Sequence, residues 1–524
     1  MANGMEPPEL LAVATLTAYR DAFKAGIDAG RAHRFTIPYH FIPGYVIPIL
    51  YMSIPHVRRP WLYRCRWLVV ILVVGFNANL VRNTSSTNVA LAYAAGLWGY
   101  WSIMHNLTML VWSRPQSEAE RVARRRREKQ EPQPTGTTHS GSRSRDQATA
   151  PGSDTKQFEY YWQAFPVDGT FLERLEWAFD LYSTFRGAGW NWAVPNIPSP
   201  QRPEKPLSGE LVKMDTIPLK TRTGYATYPT VRDFVRTKVM ACVYAYVVLD
   251  VLKVLMMRDP WWILGPGHLL DQVPLPPYLD AIPTWFLGVS RSLMMLLGMH
   301  AAIVGLFSLH DLLQYYITSC VYPLRAELWR YSSVFGSLDL VLDRGLAGFW
   351  GACWHQTFRA PFAGPGTWLS SRAGHHLFPP RSSAAKAATA FFAFFQSGIL
   401  HGCGSRTSLG PADPLYPMLF FLLSGAGILL QRAACVAFRA WIDPLPRRLR
   451  RAGNLAYVVL WLHFTSWPLA ADLAHAGIWL LEPVPLSFVR ALGFGQVDHA
   501  LWRIDDDTTA HWRKGNHWWQ SGLS

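Results

Sequence analysis

Apolar runs long enough to cross a membrane recur along this chain, separated by polar, basic or proline-rich stretches. A hydrocarbon core requires roughly 20 consecutive apolar residues, and by that measure about eight spans are predicted. They cover about residues 37–55, 67–82, 88–112, 237–256, 284–307, 385–401, 414–437 and 453–472. The first is interrupted by Pro38, Pro43 and Pro48, each of which lacks a backbone donor. A further apolar stretch, about 309–323, reads as a partial or re-entrant helix. Between the third and fourth spans, Trp162, Phe171, Leu175, Trp177, Ala178, Leu181 and Tyr182 recur at near-helical spacing. That pattern predicts an amphipathic helix lying in the membrane interface. Segment 324–384 is aromatic and basic and reads as further interfacial helices. The expected fold is all-α: a polytopic integral membrane protein of about eight transmembrane helices with interfacial helices.

Composition supports this class. Charged residues make up only 16% of the chain, against about 25% in soluble domains. The net charge of +15 comes from clusters beside apolar runs, not from a basic stripe interleaved with stacking aromatics. A lipid partner is therefore expected and a nucleic-acid partner is not. Arg58, Arg59, Arg64 and Arg66 follow the first span, Arg121 and Arg124 to Arg127 the third, and Arg447, Arg448, Arg450 and Arg451 the seventh. With eight spans these clusters share one side, which the positive-inside rule makes the cytosol. Asn83-Thr84-Ser85, a candidate glycosylation acceptor, falls on the other side, close to the membrane. The six cysteines are scattered singly, so neither a zinc ribbon nor a disulfide framework is indicated. No cleaved leader is evident, and the first span is expected to direct insertion.

The chain divides into four regions. Residues 1–112 form an N-terminal membrane region with about three spans. Residues 113–157 are rich in Arg, Ser, Thr and Gly and are expected to be a disordered cytosolic insert. Residues 158–472 form the core, and 473–524 a polar C-terminal tail.

Three segments could carry chemistry. His401 closes the apolar run Phe395-Gln396-Ser397-Gly398-Ile399-Leu400-His401. An ionisable side chain in a span is costly and usually functional; in its uncharged form an imidazole can take a proton from an alcohol. Ser397 lies one helical turn earlier on the same face. The bland alternative is a histidine bonded to a neighbouring carbonyl. His355 follows Trp354 and precedes Gln356, with Arg359 one turn on; this is either a pocket for an anionic, aromatic-ended ligand or a polar face toward headgroups. Arg186-Gly187-Ala188-Gly189-Trp190-Asn191-Trp192 could offer Trp190 and Trp192 as pocket walls and Asn191 as a hydrogen-bonding group. The same glycines serve equally well in a purely structural turn. His300 and His310 lack a second pair for haem ligation, and Asp505 to Asp507, His511 and His517 lack metal-ligand spacing, so no metal is expected.

Taken in order, RGAGWNW, FWGACWHQTFR and FFQSGILH resemble the wax-synthase-like branch of membrane-bound O-acyltransferases, and most of all its fungal members acting on secondary metabolites. The likeness runs from about residue 158 to about 470. It implies that His401 is the catalytic base and His355 a second active-site residue. It also implies acyl-CoA as co-substrate, with acetyl-CoA the expected donor and no bound cofactor, and a hydrophobic alcohol such as a terpenoid as acceptor. Arg359 and Arg186 would then meet phosphates, and Gln356, Trp354, Ser397, Trp190, Asn191 and Trp192 would line the substrate site. Members often carry basic residues after FWG, where this chain has Ala352 and Cys353. No GxSxG elbow is present, so an acyl-enzyme is not required. The expected location is the endoplasmic reticulum membrane. The alternatives are a wax ester synthase using long-chain alcohols and fatty acyl-CoA, and, in different classes, a membrane scaffold or a transporter, whose inverted repeats are not evident.

Overall fold

The computed structural model describes residues 7–57, 59–126, 158–201, 207–370, 379 and 382–524. Its principal helices are α1 (Pro8–Asp28), α2 (Arg66–Asn83), α3 (Val89–Leu107), α4 (Phe171–Ser183), α5 (Val231–Met256), α6 (Thr284–Val321), α7 (Asp339–Gly348), α8 (Arg359–Trp368), α9 (Ser383–Thr407), α10 (Leu415–Ala437), α11 (Arg447–Thr465) and α12 (Trp467–His475).

Among the described residues, four helical stretches are long and apolar enough to cross a membrane: Pro60–Asn83, α5, α6 and α10. The expectation of about eight spans is thus supported only in part. The proline-interrupted first candidate breaks into a 3-10 turn (Tyr39–Phe41), a π-turn (Ile42–Val46) and a short helix (Ile47–Met52). α3, α9 and α11 coincide with predicted spans, but carry small, polar or basic residues that dilute their hydropathy. The stretch at 309–323 is no separate re-entrant piece. It is the second half of the 38-residue α6. The polar pair His310-Asp311 interrupts the hydropathy but not the helix, because Lys238 of α5 donates to Asp311 at 2.5 Å.

The insert also departs from expectation at its start. Arg121–Arg126 form a strand, β1, antiparallel to β2 (Phe158–Gln163), with Arg121 opposite Gln163 and Arg126 opposite Phe158. Trp162 therefore lies on a strand, and the amphipathic helix is only α4, which buries Trp177, Ala178, Leu181 and Tyr182. Composition alone marks the arginine run as unstructured, but its partners lie elsewhere in the chain. Arg121 reaches Asp180 at 3.2 Å and Glu176 at 3.1 Å, and Arg124 reaches Glu327 at 2.6 Å. Residues 127–157 of the expected insert lie outside the described residues. Two further strand pairs, His33–Arg34 with Thr84–Ser85 and Trp512–Arg513 with Gly522–Leu523, make the fold helical with small sheets, not strictly all-α.

The C-terminal region is docked back on the N-terminal one. Arg490 pairs with Glu9 at 3.2 Å, and Arg20 with Asp505 at 2.6 Å. The acidic run that reads as a bland polar terminus thus supplies counter-ions for α1.

α9 is the structural centre, packed against α3, α8 and α10. Close approach requires glycine at two places. A Cβ on Gly96 of α3 would stand 1.9 Å from the Cys403 carbonyl oxygen, and one on Gly398 would stand 2.7 Å from Met418 Cα. Thr407 ties α9 to α3, accepting from Gly96 N at 2.9 Å and donating to Ala92 O at 2.7 Å. These contacts hold His401 inward.

Candidate active site

His401 lies deep in the protein, stacked on Phe421 of α10 with ring centroids 5.1 Å apart and planes at 20°. Its Nδ1 is 3.3 Å from the Tyr93 hydroxyl of α3. Nε2 makes no hydrogen bond among the described residues, yet it is not one of the buried polar atoms sealed from solvent. The ring is enclosed by protein but keeps some accessible surface. That combination is expected of a group lining an internal space. Ser397 is buried one turn earlier on α9.

His355 is presented by a bend. Phe349–Cys353 form a π-turn, after which Trp354 is extended. The Gln356 amide donates to Trp350 O at 3.0 Å and to Trp354 O at 2.7 Å. Arg359 Nη1 donates to Gly351 O at 2.7 Å and Gln356 Oε1 at 2.8 Å. Gln356 and Arg359, expected to contact substrate, hold this bend. The His355 ring is surrounded by Phe307, Phe335, Trp354 and Phe358. Its Nδ1 is sealed and without a partner. Burial pushes its pKa down to about 3, with His401 and Arg186 acting in the same direction, so the ring is neutral at physiological pH. A succession of ring contacts links the two imidazoles: His401 with Phe421, Phe421 with Trp350, Trp350 with Trp354, and Trp354 with His355.

Beside His355 opens a cleft of about 590 Å³ including its mouth, lined by Phe185, Arg186, Phe307, Asp311, Gln314, Arg325, Arg330 and Thr357 among others. Its charge is predominantly positive. Asp311 is occupied by Lys238. Behind the cleft, fully buried Asp180 accepts from Arg325 Nε at 2.6 Å and Arg121 Nη1 at 3.2 Å, with Arg330 at 3.6 Å. Burial alone would raise the Asp180 pKa, but the guanidinium groups of Arg325, Arg330 and Arg121 hold it at about 2. Arg186 bonds the Ser333 carbonyl at 2.8 Å and the Ser332 carbonyl at 3.3 Å, and still lines the cleft.

The RGAGWNW segment serves the framework. Gly187 and Gly189 adopt φ of +67° and +82°, a region that side chains disfavour. A Cβ on Gly187 would also sit 2.7 Å from the Trp192 ring. Trp190 is buried edge-on against Trp177, with centroids 5.1 Å apart. Asn191 accepts from Glu120 N at 3.2 Å and donates to Glu118 O at 2.7 Å. Through these bonds Asn191, expected as a ligand contact, clasps the approach to β1.

The region containing both histidines is also the one with a family likeness. Residues 331–423 match the Membrane bound O-acyl transferase family. An acetyltransferase of Aspergillus fumigatus, pyr8, is 28% identical over 345 residues, covering 62% of this chain and 70% of that protein. The O-mevalon transferases macI of Penicillium terrestre and yanI of Aspergillus niger are each 23% identical. Their alignments cover 62% and 56% of this chain and 66% and 58% of those proteins. No solved structure matches. The chain thus resembles fungal acetyl- and mevalonyl-transferring enzymes, as its motifs imply. Among its described residues no group of three or more His, Cys, Asp or Glu side chains could hold a metal ion.

Sequence reasoning missed Tyr93, Arg325 and Arg330. Nothing in their local sequence marks them; only the contacts between distant elements do.

Proposed function

We propose that this O-acyltransferase moves an acyl group, acetyl being the first candidate, from acyl-CoA to a hydroxyl of a hydrophobic acceptor such as a terpenoid. The observation that carries this reading is the unengaged Nε2 of an enclosed His401, linked through the rings of Phe421, Trp350 and Trp354 to a second imidazole, His355, beside a basic cleft. Arg186, Arg325 and Arg330 suit the anionic end of acyl-CoA, since guanidinium forks match phosphate. The thioester would reach past His355 toward His401.

In the proposed step, His401 Nε2 takes the hydroxyl proton as the acceptor oxygen attacks the thioester carbonyl. The carbonyl becomes an oxyanion, to which the N–H of neutral His355 can donate. As the tetrahedral centre collapses, the C–S bond breaks and the CoA sulfur takes the proton from the imidazolium. The products are an ester and free CoA, and the histidine is restored.

The larger acyl group in the names of two relatives makes donor length a specific question. Membranes containing the protein, supplied with acetyl-CoA, mevalonyl-CoA or palmitoyl-CoA and a panel of hydroxylated terpenoids, polyketides and fatty alcohols, should yield one ester class by mass spectrometry. A palmitoyl ester of a fatty alcohol would instead favour a wax ester synthase. General-base catalysis is worth roughly 10²–10⁴-fold, so His401→Ala should lose about that much turnover. Unchanged turnover in a folded His401→Ala protein would end this mechanism. Residence in the endoplasmic reticulum is part of the proposal, tested by co-migration of the tagged protein with marker enzymes.

A further inference from the structure

A second cavity, of about 850 Å³ including its mouth, opens where residues 51–57 and 113–117 meet the start of α2. It shares no lining residue with the cleft beside His355. Met52, Val57, Met109 and Leu110 give it an apolar side, and Arg66 and Arg114 a cationic one. No Asp or Glu among the described residues lines it.

The two guanidinium groups stand beside one ring. Arg66 Cζ is 3.9 Å and Arg114 Cζ 5.9 Å from the Tyr63 centroid, and the ring quadrupole attracts both. Arg66 Nη1 donates to Tyr63 O at 2.9 Å, but its Nε is buried with no partner. A buried donor left unpaired calls for a ligand or another explanation. The Arg114 guanidinium has no hydrogen bond or ion pair among the described residues; its backbone N donates to Glu118 Oε2 at 3.1 Å. Other polar groups of the wall are already committed. Ser113 and Ser117 donate to the Thr108 and Arg114 carbonyls at 2.7 and 3.0 Å. Gln116 accepts from His56 N at 2.8 Å and donates to Met52 O and Ile54 O at 2.8 and 2.9 Å. The cavity therefore offers a ligand guanidinium donors beside an apolar wall.

Arg66 lies near the start of the membrane-length stretch Pro60–Asn83, which exposes Leu68, Ile71 and Leu72 beyond it. That places the cations at headgroup depth, where basic residues attract acidic lipids. We propose that this cavity holds one acidic glycerophospholipid, its phosphate between Arg66 and Arg114 and the start of an acyl chain against Met52, Val57, Met109 and Leu110. Guanidinium forks match phosphate oxygens. With no carboxylate to meet a choline ammonium, the cavity favours acidic over zwitterionic headgroups. A free phosphate would leave the apolar side uncovered. The site stands independently of the acyl-transfer mechanism.

The test is native mass spectrometry of the full-length protein, delipidated in detergent and titrated with phosphatidylglycerol or phosphatidylcholine. One phosphatidylglycerol should be retained, about tenfold more tightly than phosphatidylcholine. Arg66→Gln combined with Arg114→Gln should weaken it by about tenfold or more, as the loss of charge-assisted bonds implies. Arg114→Gln alone changes an exposed side chain; it should weaken binding severalfold and serves if the double variant does not fold. Arg448→Gln combined with Arg450→Gln removes the same charge from another exposed basic cluster and should change little. Equal affinity for the two lipids, or equal weakening by the two double variants, would overturn the site. Displacement by excess inorganic phosphate would make the ligand a soluble phosphate, and displacement by acetyl-CoA would make the cavity part of a donor site. Either result would overturn the lipid assignment.

Discussion

Replacing Asp180 with asparagine should be among the most destabilising polar substitutions in this protein. Asp180 is fully buried and faces three guanidinium groups, those of Arg325, Arg121 and Arg330. Its carboxyl is held from an ordinary 3.8 down to about 2, a difference corresponding to about 2–3 kcal/mol. Asparagine forfeits that and leaves buried cations unneutralised; breaking a buried pair from one side costs about 3–5 kcal/mol. The pH dependence has a defined sign. Because the folded-state pKa lies below the unfolded one, the contribution is complete above about pH 4. It declines as the pH falls through about 2. The stability gap between wild type and Asp180→Asn should therefore be widest near neutrality and close toward pH 2. Denaturant titration of the solubilised protein, followed by tryptophan fluorescence, measures this gap. Asp443→Asn is the control: its partner Arg439 is 78% exposed, and such surface pairs are worth about 0–1 kcal/mol. Equal effects of the two substitutions, or an Asp180→Asn gap that persists unchanged at pH 2, would refute the reasoning.

Other substitutions separate framework from site. Gly96→Val should cost at least about 1–3 kcal/mol and displace His401, since its Cβ would stand 1.9 Å from the Cys403 oxygen; Gly75→Val, with no atom within 4 Å of its Cβ, should be nearly silent in the same thermal melt. Asn191→Ala removes the side-chain bonds to Glu118 and Glu120 and should cost about 1–3 kcal/mol. It should speed proteolysis near Arg121–Arg126 without changing KM for acyl-CoA, whereas a raised KM would restore a ligand role. Arg186→Gln should raise KM for acyl-CoA by about tenfold, as the loss of one charge-assisted bond implies, and weaken the salt dependence of binding; an unchanged KM would move the phosphates elsewhere.

The motifs singled out the two histidines of the proposed site. His401 stood out as an ionisable group ending an apolar run, and His355 as a polar residue among aromatics. The residues around them were less legible because the same side chains have two uses. Gln356, Arg359 and Asn191 read as ligand contacts from composition, yet each hydrogen-bonds backbone that supports the site. Arg121 read as part of a solvated basic run because its counter-ion, Asp180, lies 59 positions along the chain. Asp472 sits at the edge of a predicted span, where an acidic residue is a recognisable signal, but its partner Ser405 lies 67 positions away along the chain.

Hydropathy and charge along the chain determined that this is a helical protein built for a lipid environment, because the energy of placing a side chain in hydrocarbon depends on that side chain and its near neighbours. The same local rule located α5, α6 and α10. Only the tertiary structure decided that the apolar run before residue 309 and the one after it are a single helix, that an arginine run begins as a buried strand, and that the tail returns to α1. It also decided which face of His401 is free and which is bonded to Tyr93. Each of these depends on compensation of charge or donors by residues distant in sequence, and no window along the chain contains both partners.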